Sequence, residues 1–350
     1  MRAFSRTLLD WWGVRARDLP WRRRQDPYAV WVSEVMLQQT RAAVAVSYYR
    51  RFLRAFPTVQ ALAVARLDEV LRCWQGLGYY ARARNLHAAA RQVVREGFPS
   101  DASGWQRLPG VGPYTAAAIA SIVGGEECVA LDGNLLRVGA RLFGIRLALD
   151  DRRARFEIAR RFRSLLPRGR AAELNQALMD LGSTICVPRR PRCEDCPVCR
   201  FCAARAAGIQ DRVPVRRRRH VRPTRRFVAA VITDRRGRVL LVRRPPRGIW
   251  GGLWTLPFVE ARSWRDARSG LSRDLGGRMR RQGRFQTEVG HAFTHFSAVC
   301  RAVAVTADFP EGTAAHLRWV RPERPGVPMP PAHRKILRSY AAASGLRASV

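Results

Sequence analysis

Four cysteines, Cys186, Cys193, Cys196 and Cys202, fall in one short segment with the spacing C-x6-C-x2-C-x5-C, and Cys199 stands among them. Thiolates converging from so short a stretch suit metal ligation, either of a tetrahedral zinc ion or of an iron–sulfur cluster. Zinc ribbons usually split their ligands into two pairs across a longer insert, which this segment lacks. A second choice of four is also present, because Cys193, Cys196, Cys199 and Cys202 make a C-x2-C-x2-C-x2-C run. Cys73, Cys128 and Cys300 lie apart and read as packing residues. Upstream of the cysteines, Leu108 to Gly112 spell Leu-Pro-Gly-Val-Gly ahead of Pro113. Two glycines permit a tight turn, and a proline suits the first position of a helix, where its missing N–H would have no partner. Amides of Gly110, Val111 and Gly112 at a helix start would bind a phosphate without reading sequence. The plain alternative for such a turn is an interhelical corner.

These groups need rigid elements to hold them. Apolar positions at three-and-four spacing run through AVWVSEVMLQQTRAAVAVSYYRRFL, DEVLRCWQGLGYYARARNLHAAARQVVREG and PYTAAAIASIVGG, so residues 1–205 are expected to be helical throughout. The arginine-rich stretch within 206–225, with Pro214 and Pro223, breaks that pattern and reads as a solvated basic linker. Beyond it, RFVAAVITDRRGRVLLVRR is expected to form a β-hairpin turning at Asp234 to Gly237, and AFTHFSAVCRAVAVTA another long strand. Residues 226–350 therefore form a second, mixed α and β domain. Two domains also suit a chain of 350 residues. The formal net charge of +37 points to a polyanion, with nucleic acid the obvious partner, although a codon-driven preference for Arg contributes, since Lys335 is the single lysine. No apolar run approaches the roughly 20 residues a bilayer requires. The start, MRAFSRTLLDWWGVR, lacks a signal-peptide core. A cytoplasmic, nucleoid-associated monomer with reduced thiols is expected.

A helix-hairpin-helix followed by Asp132 in the turn ALDGN resembles the DNA glycosylase superfamily that includes endonuclease III. The cysteine segment resembles the [4Fe–4S] loop of that superfamily, which implies Cys186, Cys193, Cys196 and Cys202 as ligands and leaves Cys199 free. PWR at Pro20 to Arg22, WVSEVMLQQT at Trp31 to Thr40 and GLGYYARARNL at Gly76 to Leu86 closely resemble the adenine DNA glycosylases of the MutY type. That resemblance covers nearly the whole first domain. It implies that Glu34 is the general acid that protonates the adenine ring. An apolar face of Val30, Trp31 and Leu37 around Glu34 would favour the same choice by raising its pKa. It further implies that Asp132 stabilises the positive sugar left as adenine departs, with Tyr114 and Asn134 close by. Arg22 and Gln176 would hold the flipped base, Gln176 standing where some members have Glu. Gln39, Thr40, Leu77 and Tyr79 would enter the duplex beside the orphaned partner base. Strand-nicking relatives carry a nucleophilic Lys after the hairpin, where this chain has Tyr114.

WGGLWTLP at Trp250 to Pro257 and FTHF at Phe293 to Phe296 resemble the C-terminal domain of the same family, which has the fold of Nudix hydrolases. The stretch ARSWRDARSGLSRDLGG offers Arg and Ser where a Nudix site would need a cluster of Glu, so pyrophosphate hydrolysis is not expected. Thr294 and His295 match the pair that reads 8-oxoguanine. The expectation is a helical, helix-hairpin-helix glycosylase domain with a cluster loop followed by a Nudix-like α/β domain. Its implied activity is hydrolytic removal of adenine mispaired with 8-oxoguanine or guanine in double-stranded DNA. An endonuclease III-like glycosylase and lyase, and an inactive DNA-binding scaffold, are the alternatives.

Overall fold

A computed structural model of the chain describes residues 2–215, 221–308 and 316–344. The centre of the expected linker, residues 216–220, lies outside them. Contacts divide the chain into two compact units: residues 1–65 with 81–219, and residues 66–80 with 220–350.

The first unit is helical: α1 (Arg2–Arg15), α2 (Pro27–Leu37), α3 (Ala42–Ala55) and α4 (Val59–Val64), while α5 (Leu67–Cys73) groups with the second unit. Then follow α6 (Ala81–Glu96), α7 (Ala102–Gln106), α8 (Pro113–Gly124), α9 (Gly133–Leu142), α10 (Arg152–Arg163), α11 (Ala171–Thr184) and α12 (Ala203–Ala206). Helix α2 starts where the Asp26 side chain accepts from the Ala29 amide and Pro27 fills the first helical position. Every residue from Tyr28 to Met36 is buried, so α2 is the central helix of this unit. Among the buried aromatics is Trp31, packed edge-on against Trp105 at 5.7 Å. Burial of each such ring contributes about 3 kcal/mol.

Two of the three helical runs read from periodicity are each broken once, while the third forms α8 without a break. Helix α2 ends before Gln39, whose φ is +58°, and the buried Arg82 guanidinium takes the carbonyls of Val35, Met36 and Gln38. Those are carbonyls that a continuing helix would have used. Between α5 and α6 the chain passes through Gly76, Gly78 and Tyr79, all at positive φ.

In the second unit β1 (Thr224–Ile232), β4 (Phe258–Glu260), β5 (Arg278–Ala292) and β6 (Ser297–Asp308) form a sheet in the order β4-β1-β6-β5. A second sheet has the order β3-β2-β7, from β2 (Val239–Arg243), β3 (Trp254–Thr255) and β7 (Leu317–Val320). Helices α13 (Trp264–Leu275) and α14 (Pro331–Ala343) complete the unit. The expected hairpin between β1 and β2 is not formed. Both edges of β1 are occupied, by β4 antiparallel and by β6 parallel, so β2 is left to join the other sheet after a single bridge, Thr233 to Val239. Asp234 still makes the turn, accepting from the amides of Arg236 and Arg238. Nor does AFTHFSAVCRAVAVTA run as one strand, because β5 and β6 are antiparallel and Phe293 to Phe296 are the turn between them. Among the described residues no helix is long and apolar enough to cross a membrane.

Candidate active site

Glu34 lies on the buried face of α2, 4% exposed, at the wall of a cavity of about 480 Å³ in the first unit. Val30, Leu37, Trp21 and Met179 give that wall its apolar part, while Arg22, Gln176 and Ser33 give it polar groups. Burial pushes the Glu34 carboxyl up to about 7; the Tyr114 hydrogen bond opposes this, the Asp132 carboxylate adds to it, and Arg22 opposes it. Tyr114 reaches Glu34 from the start of α8, its hydroxyl donating to Oε2 at 2.9 Å. Burial raises the phenol well above its ordinary value, and the carboxylates of Glu34 and Asp132 raise it further, so Tyr114 is a donor at any working pH.

Asp132 caps α9. Its Oδ1 accepts from the Leu135 amide at 2.7 Å and its Oδ2 from Asn134 Nδ2 at 2.7 Å. Burial raises its pKa, and the hydrogen bonds from Leu135 and Asn134 and the charge of Arg137 work against that. The positive end of α9 favours the same ionised form. Helix α9 can bring Asn134 this close to α11 because residue 182 is glycine: a Cβ there would sit 2.7 Å from the Asn134 Cβ. The loop before α9 is held from α11 as well, since buried Asn175 accepts from the Ala130 amide and donates to Cys128 O and Ser121 Oγ.

Arg22 and Gln176 both line the cavity, but Arg22 is already engaged by Asp180 through Nη1 at 2.7 Å and Nη2 at 3.0 Å. Gln39 and Thr40 occupy the turn after α2, where Thr40 Oγ1 accepts from Arg82 Nη2 at 3.2 Å. In the hairpin, Gly110 has φ +79° and lies against Asn85, where a Cβ would meet that side chain at 2.6 Å. Val111 is buried and its amide donates to Leu108 O at 3.1 Å, so it is not available to a phosphate as expected from the sequence. Gly112 precedes Pro113 as the N-cap of α8 with open space around it.

Leu77 and Tyr79 belong to the second unit, the first buried and the second exposed. There the Tyr79 hydroxyl lies 3.2 Å from Thr294 Oγ1. Thr294 and His295 are exposed at the tip of the β5–β6 turn, closed by Phe293 N to Phe296 O at 2.9 Å, with the Phe293 and Phe296 rings stacked at 4.5 Å.

All five clustered cysteines line one small cavity in the first unit. Burial raises the Cys193, Cys196 and Cys202 thiols, Cys196 to about 12, and repulsion from neighbouring cysteines raises them further. Arg141 donates to Cys186 Sγ at 3.2 Å, and its other donors go to carbonyl oxygens of Val187, Gln210 and Val213 rather than to a carboxylate. Its guanidinium is 2% exposed, and a buried cation so placed requires an anion. Thiolates around a cluster of net negative charge meet that requirement. Among the described residues, no three His, Cys, Asp or Glu side chains form a group that would hold a single metal ion. Thiols converging on one cavity beside the buried Arg141 are a donor set of the kind that a thiolate-ligated metal group uses.

Arg137 was not singled out from the sequence. It donates to Cys186 O at 2.8 Å, to Gly182 O at 2.6 Å and to Asn134 Oδ1 at 2.7 Å, and so ties the cysteine loop to the residue that holds Asp132. Its one sequence signal is the i+3 spacing from Asn134 on a helix, which in so arginine-rich a chain discriminates little.

Residues 32–164 match the model of the HhH-GPD superfamily of base excision DNA repair proteins, and residues 228–339 match the NUDIX domain. The adenine DNA glycosylase of Rattus norvegicus is 37% identical over 311 residues, covering 73% of this chain and 60% of the relative. That of Mus musculus is 33% identical over 400 residues, covering 97% of this chain and 78% of the relative. The chain thus spans less than two thirds of the rat protein's length. Among solved structures, a thermostable thymine-DNA glycosylase matches 59% of this chain and 96% of its own, with 28% identity and a TM-score of 0.54.

Proposed function

This chain belongs to the adenine DNA glycosylase family, and from that premise we propose that it removes adenine from mispaired duplex DNA by hydrolysis. The observation that carries the reading is the pairing of two unlike carboxyl groups at one site. Burial raises the Glu34 carboxyl to about 7, so that it keeps a proton close to neutrality in spite of the Tyr114 hydrogen bond, while at Asp132 a helix start and two hydrogen bonds work against the rise that burial causes. The flipped adenine occupies the cavity beside Glu34, with Gln176 and Arg22 at its edge. Glu34 gives its proton to a ring nitrogen as the bond from sugar to base breaks and the bonding pair leaves with adenine. Asp132 stabilises the positive charge on the sugar. Water adds to that carbon, its surplus proton returns to the Glu34 carboxylate, and an abasic site remains. Cys186, Cys193, Cys196 and Cys202 would hold a [4Fe–4S] cluster that fixes their loop, with Cys199 unligated. Arg137 transmits the position of that loop to Asn134.

Phosphates are bound by the amides of Gly110 and Gly112. Gln39, Thr40 and Tyr79 fill the duplex where adenine leaves, and Thr294 with His295 reads 8-oxoguanine opposite it. The hydrogen-bonding distance between Tyr79 and Thr294 supports a joint role for these two. A strand-nicking reading is disfavoured because Tyr114, not a lysine, stands at the site. Single-turnover assays on duplexes with adenine opposite 8-oxoguanine, guanine or thymine test the proposal. Adenine release without strand cleavage, fastest opposite 8-oxoguanine and slower opposite guanine, is expected; lyase activity or no release would overturn it.

A further inference from the structure

Behind Arg22 lies a carboxylate that neither the sequence motifs nor the proposed chemistry uses. Asp180, on α11, is 1% exposed and accepts five hydrogen bonds. They come from Trp12 Nε1 at 3.1 Å, the Arg17 amide at 3.2 Å, Arg17 Nε at 2.5 Å, and Arg22 Nη1 and Nη2 at 2.7 and 3.0 Å. Trp12, Arg17 and Arg22 all line the cavity that holds Glu34, and the Arg22 guanidinium also lies over the Trp12 ring at 5.5 Å. Two arginines and one indole from segments before α2 are therefore fixed to one buried oxygen pair on a distant helix.

We infer that Asp180 is a positioning residue of the base cavity, holding Arg22, Arg17 and Trp12 in its wall and setting the charge that Glu34 faces. Burial alone would push the Asp180 carboxyl up, but the Arg22 and Arg17 contacts outweigh that and bring it below the ordinary value, so it is ionised while the enzyme works. Glu34 meets Arg22 from the turn before α2, Tyr114 from α8 and Asp132 from α9, with Arg17 and Asp180 behind Arg22 and Arg24 and Glu173 elsewhere on the cavity wall. Asp180 offsets part of the positive charge that would otherwise draw the proton from Glu34.

The inference rests on Glu34 as the acid, and the test is the pH dependence of single-turnover adenine release by the full-length protein on an adenine–guanine duplex. With Glu34 as the acid, the rate falls on an alkaline limb as Glu34 loses its proton. Asp180→Asn leaves the two arginines uncompensated, so that limb should move to lower pH by on the order of one unit, and the plateau rate should fall about 100-fold as Arg22 loses its orientation. Asp180→Glu restores the charge and should return the limb toward its wild-type position. Arg17→Gln removes a cation from the other side and should move the limb upward by a few tenths of a unit, roughly as expected for a screened charge. Arg17 is 32% exposed, so this variant carries the test even if Asp180→Asn fails to fold. Shifts of opposite sign support the inference. A limb unmoved by Arg17→Gln, or moved the same way by both substitutions, overturns it. Glu34→Gln separates the two readings: if that variant keeps the limb, the assignment of Glu34 has failed, whereas a limb lost there but immobile in the Asp180 and Arg17 variants defeats the role of Asp180 alone.

Discussion

Replacing Glu34 by Gln should remove the pH dependence of stability near neutrality while abolishing the chemistry, and the size of the effect follows from burial. The carboxyl ionises at about 7 in the folded chain against an ordinary value of 4.5. Between those two values the folded state holds a proton that the unfolded chain has lost, so wild-type stability falls as pH rises through that window and levels off above it. At 1.36 kcal/mol per unit, the loss between pH 5 and pH 8 is about 2–3 kcal/mol. Gln keeps the shape and can still accept from the Tyr114 hydroxyl, but does not ionise, so its stability should be nearly flat over the same range. Urea midpoints of full-length wild type and Glu34→Gln, followed by helical signal from pH 5 to 8, measure the difference. The variant should match or trail wild type at pH 5, exceed it at pH 8, and release no adenine in single-turnover assays while still binding mispaired duplex. A constant gap between the two proteins across pH would show that Glu34 is not held protonated by burial, and near-normal adenine release would remove it from the mechanism.

Cys199→Ser should keep a yellow-brown protein with about four irons per chain, whereas Cys186→Ser should lose the colour and iron; bleaching by the first and not the second would reassign the ligands. Tyr114→Lys places an amine where the sugar carbon is expected, so borohydride should trap a covalent adduct with DNA in the variant and little or none in wild type. Thr294→Ala combined with His295→Ala should reduce the preference for 8-oxoguanine over guanine by about tenfold to a few hundredfold, since a good base contact is worth roughly 1–3 kcal/mol. Adenine release opposite guanine should fall much less, and an unchanged ratio would place lesion reading entirely in the helical unit.

What the sequence determined by itself is what short-range covalent spacing determines. Four thiols within one loop, two glycines and a proline ahead of a helix, and Glu34 on an apolar helical face are each a matter of a few consecutive residues. Their local geometry follows from backbone sterics and helical period. Tertiary structure decided where a choice depended on a distant partner. Periodicity ran α2 into α3, but the break at Gln39 is stabilised by Arg82, more than forty residues away along the chain. Alternation of β1 and β2 suggested a hairpin, yet a strand has two edges, and β4 and β6 occupy both. Asp180, Arg137 and Arg141 could not be singled out because 64 basic residues make any one Arg uninformative and Asp180 carries no motif. What makes Asp180 and Arg141 consequential is burial, which removes water as the competing partner and obliges each charge to find a specific acceptor or donor, while half-buried Arg137 matters through the carbonyls it joins. That condition exists only once α1, α9 and α11 have packed.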